Sequence, residues 1–76
     1  MEKITYQVLR KLQREVTLTN RKIACVELTQ EQWTHKSAIV MELFNSGYIT
    51  GYFPTAGAVL ECIVAQKTMD IPMVCG

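Results

Sequence analysis

Apolar side chains recur every three to four residues along the first part of the chain. At about 100° per residue they form one stripe, which is typical of an amphipathic helix lying on a core. The stripe comprises Ile4, Val8, Leu9, Leu12 and Val16. The opposite side carries the polar series Lys3, Gln7, Arg10 and Arg14, flanked by Lys11. The pattern therefore predicts a first helix with a positively charged outer face.

The segment VTLTN, residues 16–20, is expected to end this helix. Threonine and asparagine compete with helical hydrogen bonds and favour extended or capping conformations. We expect a very short strand at residues 16–18. We then expect a second, short helix through RKIACVE, residues 21–27, that buries Ile23 and Ala24. A helix of this length is stable only when it is packed.

A third helix is expected to begin at Thr29. Thr29 is followed three residues later by Gln32, and this pair forms a capping box in which each side chain bonds a main-chain amide near the other. Gly47 stands where a left-handed residue closes a helix. The helix therefore spans most of residues 29–46.

The predicted core side of the third helix follows from its apolar spacing. Trp33, Val40 and Phe44 fall on one line, with Met41 and Leu43 beside it. We expect this line to face inward. The opposite side would present the series Glu31, His35, Ala38, Glu42 and Asn45.

Two short segments after this helix are rich in β-branched and aromatic residues. YITGYF, residues 48–53, and VLECIVA, residues 59–65, are separated by PTAGA, whose proline and glycine mark a turn. They predict a β-hairpin. The tail after residue 66 has too poor a pattern for another helix, and Pro72 argues the same way. The chain is thus predicted to be an α+β domain of the winged helix-turn-helix type, with three helices and a hairpin wing.

The chain resembles the winged-helix families, and among them the small YjcQ-like proteins associated with bacterial chromosomes and phages. The resemblance lies in YQVLRKL, residues 6–12, and in LTQEQWTHKSAIVMELFNSGYITG, residues 28–51, and it covers roughly two thirds of the chain. It implies a winged-helix fold and a bacterial or phage origin, and no particular activity. Such proteins usually continue into a further helix, which the sequence VAQKTMDIPMVCG lacks. The missing helix would leave apolar surface uncovered, which favours self-association or a different C-terminal packing.

Size and composition limit the alternatives. A chain of 76 residues has room for one core, so residues 1–76 form a single domain. No apolar run is long enough for a membrane span, and the charged N-terminus is unlike a signal peptide, so we expect a cytoplasmic protein without a membrane partner. Three cysteines at wide spacing and one histidine suggest neither a disulfide framework nor a metal site. No catalytic motif or cofactor-binding motif is present, so we expect no enzyme and no cofactor.

The first functional hypothesis is binding of double-stranded DNA by a dimeric transcriptional regulator. In helix-turn-helix proteins, early residues of the later helix read base edges and flanking groups hold phosphates. The candidate base contacts are Gln30, Gln32, Thr34, His35 and Lys36, and the candidate phosphate contacts are Arg21 and Lys22. Three features oppose this hypothesis: a net charge of only +1, the two carboxylates Glu31 and Glu42 on the outer side of the helix, and a wing turn without lysine or arginine.

The alternative hypothesis is a non-catalytic winged-helix module that binds another protein or a second copy of itself. Aromatic and apolar side chains in the hairpin and tail are typical of protein interfaces. The candidate partner contacts are Tyr52, Val59, Ile63, Ile71 and Met73. A homodimer is expected under both hypotheses.

Overall fold

The computed structural model describes residues 1–72, and these form four helices and a three-stranded antiparallel sheet. The elements in chain order are α1 (Lys3–Thr19), β1 (Ile23–Glu27), α2 (Gln30–Thr34), α3 (Lys36–Asn45), β2 (Ile49–Phe53), β3 (Val59–Val64) and α4 (Gln66–Met69). The strand order is β1–β3–β2, so β3 is central. The predicted α+β class is confirmed. Within residues 1–72, no helix is long and apolar enough to cross a membrane.

Helix α1 runs three residues beyond Val16, where a strand was predicted, and that prediction is wrong. The hydroxyl of Thr17 donates to the Gln13 carbonyl at 2.8 Å, and the hydroxyl of Thr19 donates to the Glu15 carbonyl at 2.9 Å. Both bonds reach back one helical turn, so the threonines are accommodated within the helix. Asn20 ends α1 in the left-handed conformation, with φ 55°.

The predicted second helix over residues 21–27 is also wrong, because Ile23–Glu27 form strand β1. Exposed and buried side chains alternate along β1, and Ala24 and Val26 point into the core. The whole strand pairs with β3, from Ile23 opposite Ile63 to Glu27 opposite Val59. A seven-residue helix is marginal by itself, whereas this strand gains a full hydrogen-bonded ladder.

The capping box at Thr29 is confirmed. The main-chain N–H of Gln32 donates to the Thr29 hydroxyl at 3.2 Å, and the N–H of Thr29 donates to Gln32 Oε1 at 3.0 Å. The helix that begins there is divided at His35, whose N–H is shared between the carbonyls of Glu31 and Gln32. This shared bond tightens the turn and separates α2 from α3.

The buried side of α3 differs from the predicted one. Ile39, Val40 and Leu43 are buried, whereas Trp33 is 45 % exposed and Phe44 is 47 % exposed. The prediction that Trp33, Val40 and Phe44 point inward together is therefore wrong for two of the three residues. The buried side of α3 is the side with Ile39 and Leu43, and α1 and the hairpin cover it.

The end of α3 and the hairpin agree with the prediction. Gly47 has φ 80°, the N–H of Tyr48 bonds the Leu43 carbonyl, and the N–H of Gly47 bonds the Phe44 carbonyl. These two bonds form the motif in which a left-handed glycine closes a helix. Strands β2 and β3 then pair antiparallel, with an irregularity between Ile49 and Gly51.

The core lies between α1 and one face of the sheet. Its side chains come from α1, all three strands and α3, with Val8, Leu12, Leu43 and Cys62 fully enclosed. Burial raises the pKa of the Cys62 thiol to about 12. The neutral thiol therefore behaves as a small apolar side chain in this core.

The prediction that no helix follows the hairpin is wrong, because Gln66–Met69 form the one-turn helix α4. Gln13 is buried in α1, and its side-chain amide donates to the carbonyls of Thr68 and Ile71. The Thr68 hydroxyl donates to the Tyr48 carbonyl at 2.7 Å. These polar contacts hold α4 in place even though its sequence lacks helical periodicity.

The first turn of α1 is held by the carboxylate of Glu42 from α3. The hydrogen bond from the Thr5 side chain, supported by the main-chain N–H of Glu2 at 3.3 Å, lowers the pKa of Glu42 below its ordinary value. A negative group at a helix N-terminus also complements the positive end of the helix dipole. Glu42 thus links α3 to α1.

Two substitutions on α3 test which of its sides is buried. Leu43→Ala should lower the free energy of unfolding by about 2–5 kcal/mol, because it leaves a cavity in the core. Met41→Ala should change it by less than about 0.5 kcal/mol, because Met41 is exposed. Urea denaturation followed by circular dichroism measures both. Equal losses for the two variants would contradict the orientation of α3 described above.

The Glu42 contact predicts a pH dependence. Because the folded pKa is depressed, the carboxylate stabilises the fold above its unfolded pKa near 4.5, and this stabilisation is lost as the pH falls through the folded pKa. The difference in unfolding free energy between the wild type and Glu42→Gln should therefore shrink between about pH 6 and pH 3. Urea titrations across this range measure it, with the exposed Glu31→Gln as control. A difference that stays constant with pH would contradict the contact.

Candidate interaction surface

A cleft of about 300 Å³ lies between α3 and the outer half of the hairpin. Val40 and Leu60, both buried, form its floor. Its walls are formed by Ser37 and Met41 of α3 and by the segment Tyr52, Phe53, Pro54 and Thr55. A cavity of about 150 Å³ already holds a benzene ring. The cleft is therefore large enough for one aromatic or branched apolar side chain.

Lys36 fixes the hairpin wall of this cleft. Its Nζ donates to the Val59 carbonyl at 2.6 Å, to the Thr55 carbonyl at 3.0 Å and to the Thr55 hydroxyl at 3.2 Å. The Thr55 hydroxyl in turn donates to the Val59 carbonyl at 2.9 Å. The start of α3 is thus tied to both ends of the hairpin turn, and the ammonium group of Lys36 is used inside the protein.

The rim of the cleft carries exposed apolar side chains. Met41 is 57 % exposed and Tyr52 is 54 % exposed. Phe44 meets Tyr52 edge to face, with ring centroids 6.4 Å apart and planes at 89°. We call Ser37, Met41, Phe44 and Tyr52 the α3–hairpin face. Apolar side chains that cluster at a cleft mark binding sites more often than single exposed ones do.

The sequence shows the helical spacing of the residues on this face. It does not show whether they point into the core or outward. Residues 33, 37, 41 and 44 recur at helical spacing, and so do residues 36, 39, 40 and 43. Each series forms a stripe, and a helix at the edge of a small core buries only one of them. The stripe with Trp33, Met41 and Phe44 is exposed, whereas the stripe with Ile39, Val40 and Leu43 is buried.

The predicted DNA contacts on α2 and α3 are distributed between internal and external roles. Gln32 is buried; besides the capping box, its Oε1 accepts from Lys11 Nζ at 2.7 Å. Lys36 is engaged with the hairpin turn. Gln30, Thr34 and His35 are exposed, and the Thr34 hydroxyl donates to the Gln30 carbonyl.

Arg21 and Lys22 lie elsewhere, just before β1. Both are exposed and line a separate recess of about 430 Å³ formed with the end of α1, β3 and α4. This recess shares no residue with the cleft beside α3. Arg21 and Lys22 therefore line a different recess from Lys36, and DNA contact by these residues stays a prediction.

The predicted partner contacts do not all lie on the same face of the sheet. Tyr52 pairs with buried Cys62 and borders the cleft, whereas Val59 and Ile63 are half-buried and alternate with the core-facing residues of β3. Ile71 is half-buried and packs against the core. Met73 lies outside the described residues.

Other kinds of site find no support in the described part of the chain. Within residues 1–72, no three histidine, cysteine, aspartate or glutamate side chains come together in a group that could hold a metal ion. Cys25 is exposed on β1 and Cys62 is buried on β3. The residues that line the cleft beside α3 include no histidine, cysteine, aspartate or glutamate.

No family model, no curated protein and no solved structure matches this chain.

The bonds of Lys36 predict its role in holding the hairpin turn. Lys36→Met should lower the free energy of unfolding by about 1–3 kcal/mol, because the carbonyls of Thr55 and Val59 lose a charged donor. Amide hydrogen exchange at residues 55–59 should accelerate more than exchange within α1. Lys22→Met is the control, because Lys22 is exposed and lies just before β1. It should leave the free energy of unfolding and the exchange rates unchanged. Unaltered exchange in the turn of Lys36→Met would exclude this role.

Proposed function

We propose that this protein is a non-catalytic interaction module of the winged-helix type that binds an apolar segment of another protein. The α3–hairpin face is the binding surface. The cleft of about 300 Å³ receives one large apolar side chain of the partner.

The order of the elements supports the winged-helix architecture. A long helix, a strand, a short helix, a second longer helix and a hairpin follow one another from α1 to β3. This is the order expected of a winged helix, with the short helix at Gln30–Thr34 and the strand at Ile23–Glu27. In this arrangement α3 takes the place of the recognition helix and β2–β3 that of the wing.

The observation that carries the proposal is the chemistry of the outer side of α3. Lys36 is the only lysine or arginine in α3, and its ammonium group is bonded within the protein. The remaining exposed side chains there are small, apolar or amide, and Met41 and Phe44 are the largest. Methionine and aromatic residues at a cleft are adaptable contacts for apolar side chains.

The same chemistry counts against binding of duplex DNA by α3. Most non-specific affinity for DNA comes from lysine and arginine side chains that neutralise phosphates. The α3–hairpin face contains no lysine or arginine. The exposed cations Arg21 and Lys22 lie at the other recess, so a duplex placed against α3 would not gain their charge at the reading surface.

A selection from random peptides tests the proposal. Phage-displayed peptides would be selected against the immobilised chain, and the enriched peptides should share a large apolar residue. Their Kd should rise roughly tenfold or more for the double variant Phe44→Ser/Tyr52→Ser, as is typical for the loss of central interface residues. Trp33, the only tryptophan, provides a fluorescence signal for these titrations.

Tyr6→Ser is the matched control, because Tyr6 is an exposed aromatic on α1, away from the cleft. It should leave peptide binding unchanged, and circular dichroism should confirm that all variants fold. Peptides that bind the double variant as tightly as the wild type would refute the proposal. So would the absence of any enriched peptide, or affinity for a random duplex that falls steeply with salt.

A further inference from the structure

The sheet has two edges, and they differ in regularity. In the part of the chain that the structure describes, neither β1 nor β2 has a strand on its outer side. Strand β2 is interrupted by the irregularity between Ile49 and Gly51, which disturbs an edge for further pairing. Strand β1 is regular over all five residues and contains no proline or glycine. It is the edge better suited to accept another strand.

The outward-facing main-chain groups of β1 belong to its odd-numbered residues. The N–H of Leu28 bonds the Ala58 carbonyl, and the N–H of Val64 bonds the Lys22 carbonyl, so even-numbered residues point their main-chain groups toward β3. In an antiparallel ladder the alternate residues point the other way. The N–H and C=O groups of Ile23, Cys25 and Glu27 therefore face outward.

The charges at the two ends of β1 are opposite. Arg21 and Lys22 precede the strand and Glu27 ends it, with only uncharged residues between them. When the β1 strand of a second copy lies antiparallel to this one, its Glu27 lies beside Arg21 and Lys22 of the first copy. Its own Arg21 and Lys22 lie beside Glu27 of the first copy. Opposite charges directly across two strands stabilise a pairing, and like charges oppose it. The pattern favours a second copy of this chain.

We propose that two copies of the protein pair through β1 to form one continuous six-stranded sheet. In the register favoured by charge, Arg21 lies opposite Glu27 of the second copy, and Ile23 lies opposite Cys25 of the second copy. Ala24 meets Ala24 of the second copy at the two-fold axis. This register pairs outward-facing odd residues with one another, as a new antiparallel ladder requires.

The surroundings of the edge are compatible with this pairing. A recess of about 310 Å³ lies beside β1, lined by Lys11, Arg14 and Glu15 of α1 and by Cys25, Val26 and Glu27. Ala24, at the centre of the pair, has a small side chain that is buried in the core of its own copy. Lys11 Nζ already donates to the Glu27 carbonyl at 2.9 Å. A carbonyl oxygen has two lone pairs, so it retains capacity for a strand bond.

Sedimentation of charge-reversed variants of the full chain tests the dimer. The wild type should sediment as a dimer as its concentration is raised toward about 1 mM, where even weak association is detected. Arg21→Glu and Glu27→Arg should each weaken the dimer roughly tenfold or more, because each turns two attractive pairs into repulsive ones. An equimolar mixture of the two variants should regain the dimer, and so should the double variant. A folding defect would give no such recovery.

Cross-linking tests the register. Ala24→Cys is introduced with Cys25 and Cys75 changed to serine and with Cys62→Ala, because Cys62 is opposite Ala24 in the same chain. The two new thiols face each other in a closely spaced pair at about 4.5 Å between Cα atoms, within the range for a disulfide. Oxidation should give a covalent dimer, whereas a variant that retains only Cys25 should not. A wild type that stays monomeric, single variants that dimerise normally, or cross-linking through Cys25 alone would overturn the proposal.

Discussion

The arrangement of this protein depends on how α3 is packed between α1 and the hairpin. Burial of Ile39, Val40 and Leu43 fixes the rotation of α3 about its own axis. That rotation directs Glu42 toward the start of α1 and Lys36 toward the hairpin turn. It also leaves Met41 and Phe44 outside. One hydrophobic contact therefore sets the position of two polar links and the composition of the exposed surface.

Local signals in the sequence were sufficient for several parts of the fold. The capping box at Thr29, the stop at Gly47 and the hairpin each depend on a few neighbouring residues, and each is present as predicted. A signal of this kind carries its own geometry because both partners are close in the chain. The α+β class follows from these elements together with α1.

The predictions from sequence were wrong where contacts between residues far apart in the chain decide between two locally possible structures. Residues 23–27 form a strand because β3, more than thirty residues later, pairs with them along their length. The rotation of α3 depends on which of its two stripes of side chains packs against α1. The sequence of α3 alone does not determine which stripe that is. The position of the cleft beside α3 depends on the same rotation, so the sequence alone did not predict it. The predicted partner residue Tyr52 does border it, whereas the roles of Gln32 and Lys36 as internal hydrogen-bonding groups become visible only with the three-dimensional structure.

The buried thiol of Cys62 has a chemical consequence. Oxidants and alkylating reagents react with thiolates, and a thiol whose pKa is near 12 stays protonated at neutral pH. Its position on the central strand also shields it from reagents in solution. Covalent modification of this sulfur therefore requires separation of α1 from the sheet, and its rate would record how often the interior of the molecule opens.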